Sequence, residues 1–181
     1  MKQNSALNID DSILKTREVY LYDHINEKSV LKLIKEIKTL DAINKKPIKL
    51  WINSPGGTTV DGLALINIIR SLQSKIITII NGEACSMASQ ISVAGDMRYM
   101  YENSWWMAHD MKGGINGDYT GKVIYRAKWL EQHYQYLIDS YRKFTKLTDK
   151  DLELAKNGEL WLNAEQCLKK GIIDKILKTG E

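Results

Sequence analysis

Hydrophobic positions along the chain recur with two distinct periods. Glu18 to Asp23 (EVYLYD) alternates and is rich in β-formers, which predicts a strand. From Glu27 to Leu40, Val30, Leu31, Leu33, Ile34, Ile37 and Leu40 fall at helical spacing. Ile48 to Asn53 predicts a second strand, cut off by Ser54-Pro55-Gly56-Gly57. Thr58 to Leu72 predicts a helix burying Leu63, Ile66, Ile69 and Leu72. Lys75 to Ile80 predicts a third strand, closed by Asn81-Gly82, and Ala84 to Ala94 a buried helix of small and apolar residues. Short strands follow around Met97–Tyr101 and Trp105–His109. Alternation of this kind predicts an α/β layered fold with largely parallel strands.

Beyond Gly113-Gly114 the period changes. Val123, Ala127, Leu130, Tyr134, Leu137, Tyr141 and Phe144 form a heptad stripe within a predicted helix from Gly121 to Leu147. Two readings fit it equally: a long helix packed on its own domain, or a projecting helix that meets another subunit. The tail returns to an α/β pattern, with Gly171-Ile172-Ile173-Asp174 before a short last strand. With 181 residues and no repeat, linker or low-complexity tract, one domain spanning 1–181 is expected, its first 14 residues polar and poorly ordered.

Composition narrows the class. Apolar residues make up 44% and charged residues 27%, an ordinary soluble globular balance. The net charge of +4 comes from lysines interleaved with acids, without a basic stripe, so no nucleic-acid partner is expected. The two cysteines, Cys85 and Cys167, form no CxxC pair, so neither a disulfide framework nor a metal site is expected. No stretch approaches the ~20 apolar residues a bilayer requires, and Met1–Ser12 has no signal-peptide core. A cytoplasmic protein without membrane attachment is the expectation.

Four segments carry chemistry. In Trp51-Ile52-Asn53-Ser54-Pro55-Gly56-Gly57 a strand stops at a turn whose bare N–H groups could face a developing oxyanion, although a plain tight turn explains it as well. In Gly82-Glu83-Ala84-Cys85-Ser86-Met87-Ala88 a serine stands among small residues at a strand-to-helix junction. That is a place for a nucleophile, with the Met87 N–H as a second oxyanion donor, and equally a place for a helix N-cap. Cys85 is a rival nucleophile or, more simply, a small packing residue. Trp106-Met107-Ala108-His109-Asp110 ends an apolar strand on one of only three histidines; His24 and His133 are the others. Beside Ser86 and Gly57, His109 is the natural general base. Glu159, in Glu159-Leu160-Trp161-Leu162, is the candidate carboxylate to orient it; Asp110 is the competitor, but adjacent strand residues face opposite ways.

These blocks, in this order, resemble the proteolytic subunit of the Clp protease (ClpP) family. The match runs through Ile52–Gly57, Gly82–Ala88 and Met107–His109, with about two residues missing before His109. It extends through Leu162-Asn163-Ala164 to Gly171–Asp174, and covers roughly residues 15–178. The resemblance implies the ClpP/crotonase-like fold of repeated β-β-α units, with a helical handle over about 111–147. It implies a serine endopeptidase working through an acyl-enzyme, with Ser86 as nucleophile, His109 as base, and Gly57 and Met87 as oxyanion donors. Glu159 falls where the family has its triad aspartate, and Gly113, Gly114 and Ile115 would line the substrate groove. No cofactor is implied.

The implied partners are a peptide or unfolded-protein substrate and further copies of the chain, in stacked heptameric rings enclosing the sites. An AAA+ unfoldase is implied less firmly. The segment before the first strand is shorter than the family's, Lys49 and Trp51 stand where relatives favour docking aromatics, and Asp110-Met111 replaces a proline after the histidine. The rivals are a catalytically inactive ClpP-like scaffold subunit, a crotonase-type acyl-CoA enzyme, and a serine–lysine peptidase of the signal peptide peptidase A kind.

Overall fold

The structure is a computed structural model that describes residues 11–112 and 119–180. Its elements in chain order are α1 (Asp11–Thr16), β1 (Glu18–Leu21), α2 (Glu27–Ile43), β2 (Ile48–Ser54), α3 (Thr59–Ser71), β3 (Ile76–Cys85) and α4 (Met87–Ser92). There follow β4 (Met97–Tyr101), β5 (Trp105–His109), α5 (Thr120–Phe144), α6 (Asp149–Asn157), β6 (Glu159–Asn163), α7 (Ala164–Lys169) and β7 (Lys175–Leu177). The mixed α/β layering expected from the sequence is present.

Strands β1, β2, β3, β4 and β7 lie side by side, all parallel. Strand β3 is longer than expected and serves two neighbours in turn. Ile77–Ile80 pairs with β4, and Glu83–Cys85 then pairs in parallel with Trp105–Met107 of β5. Asn81-Gly82 therefore does not close the strand. A register shift opposite Asn53 lets β3 advance four residues while β2 advances two, and Asn53 Oδ1 accepts the Glu83 N–H at 3.1 Å. A bulge whose side chain substitutes for the missing ladder bond keeps the strand going and re-aims it. Strand β5 then takes β6 on its other side, the one antiparallel pair among the described strands.

Alternation along β2 buries Ile48, Leu50 and Ile52 against Leu33, Ile37 and Leu40 of α2 and Leu65, Ile66 and Ile69 of α3. Their opposite neighbours Lys49 and Asn53 are exposed and Trp51 is half-buried, stacked on Tyr101 with ring centres 6.4 Å apart. Of the first 14 residues, expected to be poorly ordered, 1–10 lie outside the described residues, whereas 11–14 belong to a short helix, Asp11–Thr16. It ends at Arg17, whose buried guanidinium donates to the carbonyls of Leu40 (2.9 Å), Lys46 (2.7 Å) and Pro47 (3.2 Å). A fixed cation thus adds a donor at the Leu40 carbonyl, which also accepts the Asn44 N–H, and supplies one to the Lys46 and Pro47 carbonyls beyond the end of α2.

The heptad stripe of α5 is buried only toward the end of the helix. Leu137, Ile138 and Tyr141 are buried on the body, while Val123, Leu130 and Tyr134 are partly covered and Ala127 is exposed. Ile124, Tyr125 and Trp129 are large and exposed on the first half of the helix. No helix among the described residues is long and apolar enough to cross a membrane.

Asp41, in the last turn of α2, accepts the Ser74 N–H at 2.7 Å and Lys45 Nζ at 3.0 Å, tying the helix to the entry of β3. Burial pushes its carboxyl up, but the Ser74 and Lys45 hydrogen bonds outweigh burial and hold it at about 2. A folded value below the unfolded one gives stability that is present above about pH 4 and lost as pH falls toward 2. Asp41→Asn is expected to lower the urea midpoint near neutral pH and to flatten its decline across that acid window. An unchanged decline in the variant would contradict the assignment.

Candidate active site

Three chain segments converge where β2, β3 and β5 end. Strand β2 stops because Ser54, fully buried, turns its hydroxyl to the Asp23 carbonyl at 2.7 Å and accepts the Gly56 N–H at 3.2 Å. The following Pro55-Gly56-Gly57 turn is clamped on two sides. Gly56 has φ +94°, and a Cβ there would lie 2.6 Å from the Cys85 carbonyl and 2.7 Å from Ser86 Cβ. Gly57 has φ +151°, and its Cβ would lie 2.2 Å from the Ile25 carbonyl. Only glycine fits such contacts. The bridge to Ile25 uses the Gly56 carbonyl (2.9 Å) and the Thr58 N–H (2.8 Å), leaving the Gly57 N–H outside it.

Ser86 sits between β3 and α4 with φ +54° and ψ −122°. Arg17 is the other non-glycine residue with positive φ among the described residues. Such a conformation costs about 1–3 kcal/mol and persists only where the surroundings impose it. Here the Ser86 N–H donates to the Met107 carbonyl at 2.9 Å, and the Ser86 carbonyl accepts the Ser89 N–H at 3.0 Å. Ser86 occupies the N-cap position of α4, yet its hydroxyl makes no capping hydrogen bond. Met87 is the first residue of α4, so its N–H has no acceptor within the helix.

His109 closes β5, half-buried. Ser86, Met87, Gly56, Gly57 and His109 line one cavity of about 590 Å³, whose far wall is made by Leu130, Tyr134, Leu137, Ile138 and Tyr141 of α5. His24 and Lys112 also reach it, whereas His133 stacks on Trp129 with ring centres 5.0 Å apart. Gly113, Gly114 and Ile115 lie outside the described residues.

The carboxylates are arranged less simply than the spacing suggests. Glu159 stands directly opposite His109 in the β5–β6 register, but it is exposed and its Oε2 accepts Trp161 Nε1 at 2.8 Å. Asp110 falls just past the end of β5, so strand alternation no longer fixes its direction, and it lines the same cavity as His109. Its Oδ1 accepts the Met111 N–H at 2.6 Å. Cys85 is buried, and burial followed by the nearby Glu83 charge pushes its thiol up to about 12, so it is a neutral packing group at ordinary pH.

Buried polar contacts on α4 hold the serine turn in place. Ser89 Oγ and Tyr141 OH lie 2.5 Å apart, Gln90 Nε2 donates to the Leu137 carbonyl at 2.9 Å, and Trp106 Nε1 donates to Ser92 Oγ at 3.2 Å. Ser89, Gln90 and Ser92 interrupt an apolar segment at helical spacing that faces α5 and β5. That interruption is the sequence signal of a polar helix face within an otherwise small and apolar segment.

The structure is that of an α/β protein with a largely parallel sheet, a cavity at its strand ends, a strained serine turn and one long helix along the cavity wall. The family model described as Clp protease matches residues 1–180. The chain is also similar to a protein of Pseudomonas aeruginosa, "ATP-dependent Clp protease proteolytic subunit 2". The two are 29% identical over 166 residues, covering 91% of this chain and 82% of that one. The chain belongs to the Clp protease family.

The clamp on Gly56 gives a direct test. Gly56→Ala is expected to destabilise the fold by about 2–4 kcal/mol in urea unfolding, because the contacts it meets are backbone and Cβ. Gly121→Ala, where the added carbon meets nothing within 4 Å, should be neutral or stabilising by up to about 1 kcal/mol. Equal effects at the two positions would show that the turn is not clamped.

Proposed function

We propose that the chain is a serine-type endopeptidase that hydrolyses peptide bonds through an acyl-enzyme, within an oligomer of its own copies. The observation that carries this reading is a serine held in a strained turn, with its hydroxyl free of capping duty, at a cavity shared with an imidazole. In the mechanism Ser86 Oγ attacks the carbonyl carbon as His109 takes its proton. The Gly57 and Met87 N–H groups receive the oxyanion, and losing one such donor costs ~3 kcal/mol. His109 then gives its proton to the leaving amine. Water, activated by the same imidazole, releases the acyl group. Cys85 is a poor rival, being buried and neutral.

Glu159 is the carboxylate we assign to orient His109, by virtue of its position across the β5–β6 pair. That role requires its carboxylate to leave Trp161 Nε1 and turn to the imidazole. Family membership and the exposed Ile124, Tyr125 and Trp129 on α5 support an oligomer in which this helix meets another copy. Ile124→Glu should leave the single chain folded and shift native mass toward smaller species. An unchanged mass distribution would remove α5 from the interface.

A fluorophosphonate probe should label the protein at Ser86, located by peptide mass spectrometry, and unstructured peptides should be cleaved. Ser86→Ala should lose labelling and lower cleavage by at least about 10³-fold, with folding unchanged. Glu159→Gln should lower kcat by a smaller factor than His109→Ala. Full activity in Ser86→Ala would overturn the proposal, and an absence of labelling in the wild-type oligomer would favour the inactive scaffold.

A further inference from the structure

Asp110 is the one carboxylate among the described residues that line the cavity beside Ser86. It follows His109 directly, just past the end of β5, and is half-buried. Its Oδ1 accepts the Met111 N–H at 2.6 Å, while Oδ2 has no hydrogen-bond or ion-pair partner among the described residues. The Tyr134 hydroxyl, on the α5 wall of the same cavity, has no hydrogen-bond partner among them either. The buried side-chain polar atoms that lack a partner lie elsewhere, on Trp51, Gln90 and His133, so Asp110 Oδ2 and the Tyr134 hydroxyl are both within reach of solvent.

The two groups are close enough to act on each other. Burial, then the charges of Asp110 and Glu153, push the Tyr134 phenol up, and Arg142 opposes them. Arg142 is itself taken up by Asp139 and Asp149. Lys112 also lines the cavity, but it is exposed and makes no ion pair with Asp110, and His24 lies by the glycine turn, next to Ile25. The rest of the α5 wall is apolar, with Leu130, Leu137 and Ile138. A half-buried carboxylate in such surroundings gives up hydration without gaining a counter-charge. The cation that Asp110 lacks has therefore to arrive with whatever enters the cavity.

We propose that Asp110 is a specificity residue: its Oδ2 receives the ammonium or guanidinium of a basic substrate side chain, that of the residue preceding the scissile bond. This rests on the peptidase reading of Ser86. A lysine or arginine has an apolar stem to lay along the α5 wall and a charged tip for the Asp110 carboxylate and the Tyr134 ring. A hydrogen bond between two charged groups is about twice as strong as one between neutral groups, so charge rather than size decides the choice. An acidic side chain meets like charge at Asp110. Lys112 alone would favour the opposite choice, but its ammonium is a strongly hydrated charge on a flexible, exposed stem, which makes it the weaker determinant.

The test uses the assembled wild-type protein and fluorogenic peptides that differ only in the residue before the cleaved bond. They come in pairs of similar length that differ in charge, lysine with methionine and arginine with citrulline, beside a glutamate peptide. In at least one pair the charged member should have the higher kcat/KM, by about tenfold, and the glutamate peptide should be the poorest. Asp110→Asn keeps the shape and an acceptor for the Met111 N–H but removes the charge, and should bring the ratio within that pair to about one. Preference for the uncharged member in both pairs overturns the inference, as does a glutamate peptide cleaved best of all, which would hand the choice to Lys112. A ratio that survives in Asp110→Asn also overturns it. If both members of the pair then fall equally, Asp110 acts on His109 and not on the substrate. The wild-type comparison stands if that variant does not fold. Labelling at Ser86 with no preference within pairs defeats this inference alone, whereas no labelling and no cleavage defeat the peptidase reading and this inference with it.

Discussion

The site depends on one close approach of backbone to backbone. The Gly56-Gly57 turn is held between Ile25 on one side and Cys85–Ser86 on the other, at separations that leave no room for a side chain at either glycine. On its far side Ser86 is anchored by the Met107 carbonyl of β5. Three strands therefore meet at the serine, and its positive φ follows from that meeting. The strain is local, and the well-packed sheet beneath it keeps it in place. Because the turn, the serine and β5 are in direct contact, Gly57, Ser86 and His109 line one cavity without any long side chain having to be ordered.

The second constraint couples this serine turn to the long helix. Helix α4 is only six residues long and could not hold an orientation alone. Its polar residues face inward and are bonded: Ser89 to Tyr141, Gln90 to the Leu137 backbone, Ser92 to Trp106. Trp106 and Tyr141 also meet edge to face, with ring centres 5.5 Å apart. The second half of α5 is thus part of the site's wall and support, while its first half carries exposed apolar side chains. One helix joins the cavity to the surface at which another copy is proposed to dock, so loss of assembly and disturbance of the cavity are expected to be linked.

Much of this was legible from residue patterns. Strands β2, β4 and β5 and helix α3 lie where periodicity places them, and Ser86, His109, Gly57 and Met87 come to one cavity. What the sequence hid was hidden for identifiable reasons. Asn81-Gly82 has turn chemistry, but the Asn53 side chain accepts the Glu83 N–H and carries β3 through a bulge. Glu159 was found by position, yet its bond to Trp161 depends on two side chains sharing one face of β6, and spacing does not report which rotamers win. Strand alternation turns Asp110 away from His109, but that rule ends where the strand ends, at His109. The separate elements α6, β6 and α7 escaped division because each is short; capping boxes at Thr148 and Asn163 mark the two helix starts.

The central claim is that the close-packed glycine turn places two backbone N–H groups and an imidazole around whatever atom Ser86 Oγ attacks. A crystal structure of the protein covalently bound to a peptidyl phosphonate tests it most directly. The account predicts phosphorus bonded to Ser86 Oγ, one phosphonyl oxygen within about 3 Å of both the Gly57 and Met87 nitrogens, and the His109 ring turned toward Oγ. An adduct on another residue, or a phosphonyl oxygen turned away from both nitrogens, would contradict it.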